Sequence, residues 1–156
     1  MKKELNAQEA REKALRYLEY RSHSEKELCD KLKRAGAKEE DIPTVMEFLR
    51  EYGFVNDCRY AKHMAKDLKN IKKYGKHRIA SELKFRGISS EYIEEALCEL
   101  EDDEATELMP LVTRKIGSDF ERKNIEKAIR YFVYRGYSYE DIKTCIDRLK
   151  ENYTED

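Results

Sequence analysis

A pattern about fifty residues long occurs three times in the sequence, and it constrains the fold more than any other feature. It is anchored on Gly36, Gly87 and Gly136, which lie 51 and 49 residues apart. One apolar residue stands 4 positions before each glycine, and others follow 6, 9, 10 and 13 positions after it. This is the spacing of one helix face, so each glycine is predicted to end one helix and precede the next. The residues are Leu32, Ile42, Val45, Met46 and Leu49; Leu83, Ile93, Ala96, Leu97 and Leu100; Phe132, Ile142, Cys145, Ile146 and Leu149.

A third amphipathic segment precedes each of these helix pairs. Three helices in each copy make nine, and we predict an all-α protein of three tandem three-helix repeats. One copy of this size buries little apolar surface, so the repeats are expected to pack end on end as an elongated, curved array. The predicted boundaries are 7–56 for the first repeat, 57–100 for the middle repeat and 101–151 for the third. The apolar residues of these preceding segments, which form the first helix of each copy, are Ala10, Ala14, Leu15 and Leu18; Ala61, Met64, Ala65, Leu68 and Ile71; Leu108, Leu111, Val112 and Ile116.

Helix start signals agree with this division. Capping residues precede three of the predicted helices, at Ser24–Glu27, Asn56–Asp57 and Ser138–Asp141. Pro110 leaves two alternatives for the first helix of the third repeat. Either this helix begins near Thr106, or it begins in the acidic run 101–104 and kinks at the proline.

Several classes of function lack support in the sequence. No P-loop, dinucleotide-binding glycine pattern or HExxH motif occurs, and no histidine stands at motif spacing from a nucleophile, so we expect neither catalysis nor a cofactor. The four cysteines lack metal-ligand spacing and are interpreted as free thiols, with Cys98 and Cys145 on apolar helix faces. No run of about 18 apolar residues is present, and the first residues are charged, so we expect a cytoplasmic protein that does not contact membranes.

Charge is distributed unevenly although the formal net charge is only -1. Residues 59–87 contain ten basic and two acidic side chains, whereas residues 91–107 contain nine acidic side chains and no Lys or Arg. Five cations lie at helical spacing on the side of the middle repeat's first helix opposite its apolar face. Like charges at this spacing repel and destabilise the helix, which indicates that an anionic partner compensates them. A solvated face is the other interpretation, and the acidic run 101–104 suits a helix start. The five cations are Arg59, Lys62, Lys66, Lys69 and Lys73, called the basic stripe below.

The second helix of the middle repeat extends this candidate surface. Arg78, Lys84 and Phe85 are expected on its outer half if Ile79 and Leu83 face inward. Phe85 beside two cations either anchors a partner or packs against a neighbouring repeat. The sequence leaves open whether four tyrosines of the third repeat belong to the core, to packing between repeats or to a contact surface. They are Tyr131, Tyr134, Tyr137 and Tyr139.

Several spaced motifs, in order, resemble the RecX family of bacterial recombination regulators. They are Arg21–Leu28 with Lys31-Leu32, Gly53–Asp57 with Tyr60-Ala61, and Gly75, Arg78-Ile79, Glu82-Leu83 and Gly87-Ile88. The resemblance covers about residues 7 to 150, and the third copy shares mostly the helical pattern. It implies a non-enzymatic regulator in recombination, DNA repair and the SOS response. Such a regulator binds the RecA recombinase filament on DNA and inhibits its ATPase and strand exchange, and some members touch DNA directly.

Two other functions remain open from the residues alone. A helical nucleic-acid-binding module would use the basic stripe, and a net charge of -1 predicts that its affinity for bare DNA is weak and falls steeply with salt. A generic helical scaffold would bind neither filament nor DNA. In each case we expect the chain to act as a monomer.

Overall fold

The computed structural model describes residues 3–154, which contain nine α-helices and no β-strand. The all-α prediction and its three groups of three helices are confirmed, while the exact repeat boundaries stay a prediction. The first group is α1 (Ala7–Tyr20), α2 (Glu25–Arg34) and α3 (Ile42–Glu51). The second is α4 (Asp57–Asn70), α5 (Lys76–Phe85) and α6 (Ser90–Glu99). The third is α7 (Glu104–Ile116), α8 (Arg122–Tyr134) and α9 (Tyr139–Thr154).

The repeated glycines end α2, α5 and α8 as predicted. Their φ angles are +104° at Gly36, +84° at Gly87 and +103° at Gly136. In each case the residue after the glycine donates its N–H to the carbonyl of the apolar residue four positions before the glycine, with N···O distances of 2.9 to 3.1 Å. This is the Schellman arrangement, in which a left-handed residue closes the last helical turn. The apolar residues Leu32, Leu83 and Phe132 are equivalent and almost fully buried, at 0%, 0% and 2% exposure.

Helix starts follow the capping signals. Ser24 Oγ accepts the N–H of Glu27 at 3.2 Å, and the Glu27 side chain accepts the N–H of Ser24, which completes the predicted capping box. Asn56 and Ser138 accept N–H groups in the first turns of α4 and α9. The structure decides between the two alternatives for α7, because this helix begins in the acidic run at Glu104 and contains Pro110.

Two compact units divide the described residues. The first unit extends to Met64 and includes Leu83–Ala96, and the second consists of Ala65–Glu82 and the chain from Leu97 onwards. Each has a core at the predicted positions. The first core contains Ala10, Ala14, Leu28, Leu32, Ile42, Val45, Met46 and Leu49. The second contains Leu108, Val112, Ile116, Ala128, Phe132, Ile142, Cys145, Ile146 and Leu149.

Two predicted apolar positions are wrong. Ile71 is 73% exposed, because α4 ends at Asn70 and the helical periodicity does not continue to it. Cys98 is exposed rather than on an apolar face, while Cys145 is buried as expected. Leu15, Leu18, Met64, Leu97 and Leu111 are half-buried.

Within each unit, a glycine turn lies against the start of a helix in the preceding repeat. In the first unit the Ser24 hydroxyl donates to the Arg86 carbonyl at 2.6 Å, and a Cβ added at Gly87 would lie 2.6 Å from Cδ of Lys26. The glycine is therefore required for close approach as well as for its φ angle.

The second unit repeats this contact. Gly75 donates its N–H to the Arg135 carbonyl at 2.9 Å, and His77 donates to the Gly136 carbonyl at 3.2 Å. A Cβ added at Gly136 would collide with Arg78. These carbonyls thus accept N–H groups at the start of α5, where a helix has no internal acceptors.

Candidate partner-binding surface

The basic stripe begins in the first unit with Arg59 and Lys62. Arg59 is exposed and donates through Nη2 to the Gly53 carbonyl at 3.1 Å. Lys62 is half-buried, and its Nζ lies 3.2 Å from Glu95 Oε1. This hydrogen bond lowers the pKa of Glu95 below its ordinary value. Lys62 therefore has an intramolecular partner, whereas Arg59 presents its charge to solvent.

The next two cations, in the second unit, differ sharply from each other. Lys66 is exposed. Lys69 is only 8% exposed, and its Nζ lies 2.5 Å from Asp103 Oδ1 and 2.9 Å from the Glu101 carbonyl. The hydrogen bond from Lys69 lowers the pKa of Asp103. Burial alone would lower the pKa of Lys69, but the hydrogen bond and the neighbouring carboxylates raise it. Lys69 is therefore a charged structural residue.

Lys73 lies beyond the end of α4, in the loop that leads to α5. It is exposed, and its φ of +59° makes it the one residue other than glycine with a positive φ in the described part of the chain. The Tyr137 hydroxyl donates to the Lys73 carbonyl at 2.9 Å, and Arg135 donates to the carbonyl of Lys72. Side chains of the third repeat thus hold this loop in its left-handed conformation.

The prediction of one continuous solvent-facing stripe is wrong for Lys62 and Lys69, which have carboxylate partners, whereas Lys73 faces solvent but lies beyond the end of the helix. The reason is the acidic segment of residues 91–107, which supplies carboxylates to the basic segment. Its ion pairs include Lys62–Glu95, Lys69–Asp103 and Lys76–Asp102. Asp103 precedes α7 but makes no side-chain cap, since its carboxylate binds Lys69. Much of the predicted repulsion within the stripe is therefore relieved inside the protein.

The Arg78 guanidinium is engaged by intramolecular contacts and is not free to bind a partner. It is half-buried, with Nε 3.1 Å from Glu82 and Nη1 3.2 Å from the Tyr134 carbonyl. Its guanidinium carbon also lies 4.8 Å from the centre of the Tyr74 ring and 4.7 Å from that of Tyr134. Cation–π contacts of this kind fix a guanidinium in one orientation.

Lys84 and Phe85, at the end of α5, are exposed as predicted. Phe85 is 82% exposed, which excludes the alternative in which it packs against a neighbouring repeat. A large aromatic side chain presented to solvent beside a cation is typical of an interface anchor. Arg59, Lys84 and Phe85 are therefore the exposed candidate contact residues of the first unit.

The third-repeat tyrosines divide into two kinds. Tyr137 is buried, and burial raises the pKa of its phenol to about 12. Tyr131, Tyr134 and Tyr139 are exposed to between 41% and 72%. Tyr137 therefore belongs to the core, Tyr134 packs against Arg78 of the middle repeat while facing solvent, and Tyr131 and Tyr139 contribute to the surface.

Sequence reasoning missed a cavity of about 310 Å³ in the second unit. The sequence did contain a usable signal. Tyr131 and Arg135 stand four residues apart, which puts a cation beside an aromatic ring on one helix face, and Arg114 and Lys115 form a second pair of cations. The lining residues come from three separate segments, which hides the cavity in the linear sequence. They are Lys73, Leu111, Arg114, Lys115, Tyr131, Phe132 and Arg135.

His23, a residue type that can serve catalysis or metal binding, makes hydrogen bonds within the fold instead. His23 is buried, with Nδ1 2.9 Å from the Arg21 carbonyl and Nε2 2.8 Å from Lys31 Nζ. Among residues 3–154 no three His, Cys, Asp or Glu side chains are grouped so as to hold a metal ion. In the same range, no helix is both long and apolar enough to cross a membrane.

The fold defines an all-helical protein built from three-helix repeats. Two family models match the chain: the first three-helix domain of RecX at residues 10–49, and the second three-helix domain of RecX at residues 56–97. The chain belongs to the RecX family of regulatory proteins.

Individual relatives extend the match along most of the chain. Regulatory protein RecX of Clostridioides difficile strain 630 is 32% identical over 144 residues, which cover 90% of this chain and 68% of the relative. Regulatory protein RecX of Herminiimonas arsenicoxydans is 30% identical over 141 residues, covering 90% and 92%. The crystal structure of RecX from Lactobacillus salivarius superimposes with a TM-score of 0.81 at 26% identity, covering 92% of this chain and 96% of that one.

Proposed function

We propose that the chain binds the RecA recombinase filament on DNA and inhibits its ATPase and strand exchange without catalysing a reaction itself. The observation that carries this proposal is the match to regulatory proteins named RecX over about nine-tenths of the chain, in sequence and in fold. A repeated helical fold with exposed cations and an exposed aromatic anchor suits binding to a large assembly.

The exposed members of the predicted site are the proposed partner contacts. In the first unit these are Arg59, Lys84 and Phe85, and in the second they are Lys66 and Lys73. Lys62, Lys69 and Arg78 have intramolecular partners, so we assign them the role of holding the neighbouring backbone and side chains in place.

The proposal is tested by the DNA-dependent ATPase activity of the recombinase, measured with and without this protein. Inhibition of preassembled filaments is expected, and the protein alone should release no phosphate from ATP. The variant Lys84→Glu with Phe85→Ala should inhibit about tenfold less well, because it removes an aromatic anchor and reverses a charge.

A matched control keeps the same types of change in the first repeat. Lys33 and Tyr20 are both exposed, so Lys33→Glu with Tyr20→Ala should inhibit as the unchanged protein does. An ATPase rate unaffected by the unchanged protein would contradict the proposed function. Equal loss in the two variants would contradict only the assignment of Lys84 and Phe85.

The exposed cations also support a second candidate, a module that binds nucleic acid directly. The two candidates differ in salt dependence and in the need for recombinase. Binding to bare single-stranded DNA as tight as binding to the filament, with a steep decrease between low and moderate salt, would favour the second candidate.

A further inference from the structure

The cavity of the second unit has a strongly cationic rim. Lys73, Arg114, Lys115 and Arg135 contribute four positive charges, and none of the lining residues is acidic. None of these four side chains forms an ion pair with a carboxylate in the described part of the chain. This contrasts with Lys62, Lys69 and Lys76, which the acidic segment neutralises. Four cations around one concave site favour an anionic ligand.

Contacts within the unit hold the side chain of Arg135 and the backbone of Lys73. Arg135 donates to the Lys72 carbonyl, and its guanidinium carbon lies 5.1 Å from the centre of the Tyr74 ring. A guanidinium has five N–H donors, so one backbone hydrogen bond does not saturate it. The backbone of Lys73, which carries the second cation, is held by its left-handed conformation and by the hydrogen bond that its carbonyl accepts from Tyr137. A rim ordered before binding loses less conformational entropy when a ligand arrives.

The chemistry of the site favours a protein carboxylate over a nucleic acid. Lys115 and Arg135 both lie over the Tyr131 ring, at 4.2 and 5.5 Å from its centre, where they compete with a base that would stack on it. The apolar side chains of Leu111 and Phe132 also line the cavity. An acidic side chain flanked by an apolar residue matches a cationic rim combined with an apolar lining.

We propose that this cavity binds an acidic side chain of the recombinase filament, with Arg114, Lys115 and Arg135 as the cations that receive the carboxylate. The inference rests on the proposed function for the identity of the partner. It adds three cations of the third repeat to the surface predicted from the sequence, which the cavity shares only through Lys73.

The test uses Arg114→Glu with Lys115→Glu, because both side chains are exposed and the change should leave folding intact. The matched control is Lys143→Glu with Lys150→Glu, which reverses the same number of exposed charges on α9 outside the cavity. Fluorescence anisotropy measures the affinity of each protein for three probes. These are the filament on single-stranded DNA, the same oligonucleotide alone, and a labelled peptide of alternating Glu and Leu residues.

We expect the cavity variant to bind the filament and the peptide about tenfold more weakly, and the control to bind both as the unchanged protein does. A peptide with Gln in place of Glu should bind weakly to all three proteins. Full filament affinity in the cavity variant would overturn the inference and leave the proposed function standing. Equal losses in the two variants would show an effect of overall charge and also overturn it.

Two further outcomes separate the ligand from the partner. A loss confined to the bare oligonucleotide would show a phosphate site and overturn the carboxylate assignment. If the unchanged protein did not bind the filament at all, the proposed function would fail. Binding of the Glu-Leu peptide would then still support the cavity as a carboxylate site, and absence of peptide binding would overturn it.

Discussion

Lys69 Nζ lies 2.5 Å from Asp103 Oδ1, and the two residues are 34 positions apart in the chain. The pair joins the end of α4 to the start of α7 within the second unit. Lys69 belongs to the basic stripe by its helical spacing, but its buried ion pair stabilises the fold. Lys66, one turn earlier, is exposed and serves as its natural comparison.

Charge reversal should therefore have opposite consequences at these two lysines. Lys69→Glu places a second carboxylate beside Asp103 in a buried site, and we expect it to lower the melting temperature by roughly 3 °C or more. Lys66→Glu should leave the melting temperature nearly unchanged and weaken filament binding. Circular dichroism melts and filament anisotropy measure the two effects. Similar melting temperatures for the two variants would contradict the structural role of Lys69.

Leu83 should be among the most important residues for stability. It is fully buried, so Leu83→Ala leaves a cavity and should lower the free energy of unfolding by about 2–5 kcal/mol. Phe85, two residues later, is exposed, and Phe85→Ala should change the free energy of unfolding by less than about 0.5 kcal/mol. Urea denaturation distinguishes the two variants. An unchanged midpoint for Leu83→Ala would contradict the alignment of the repeats on their glycines.

Two glycines with similar backbone angles provide a further comparison. Gly87 and Gly53 have φ angles of +84° and +73°, but a Cβ at Gly87 meets Lys26 whereas a Cβ at Gly53 meets nothing within 4 Å. Both alanine variants bear the strain of a positive φ, and only Gly87→Ala also has a collision. Gly87→Ala should therefore have the lower free energy of unfolding. Equal values in urea denaturation would mean that the backbone angle alone requires glycine at both positions.

His23 should make stability depend on pH in the near-neutral range. Burial is the main cause that holds its pKa below the ordinary value of 6.5. Between the pKa of the folded protein and pH 6.5, His23 binds a proton in the unfolded chain but stays neutral in the folded protein. Stability is therefore fully present above pH 6.5 and is lost as the pH falls from there through the folded pKa. The slope is at most about 1.4 kcal/mol per pH unit, the limit for one proton.

The measurement compares the unchanged protein with His23→Gln by urea denaturation from about pH 7.5 to 5.5. Gln does not titrate, so the difference in unfolding free energy between the two proteins should shrink as the pH falls. A constant difference over this range would show that His23 has the same pKa in both states.

Local patterns in the sequence predicted most of the fold. Apolar spacing predicted the nine helices, and the glycines predicted the ends of α2, α5 and α8, because such signals act within one or two turns. Ile71 was misplaced because Asn70 ends α4 without a glycine signal. Lys62 and Lys69 were misplaced because their partners, Glu95 and Asp103, are more than thirty residues away. Periodicity cannot reveal which distant carboxylate neutralises a lysine.

Ser24 and Gly75 both donate to carbonyls in the repeat that follows, at Arg86 and Arg135. The middle and third copies therefore each supply an acceptor at the beginning of a helix that belongs to the copy before them. A cut near residue 100, between the middle and third copies, would leave the N–H of Gly75 without its acceptor. A chimaera assembled from two relatives should accordingly fold best when each glycine turn and the helix start that it contacts come from the same parent.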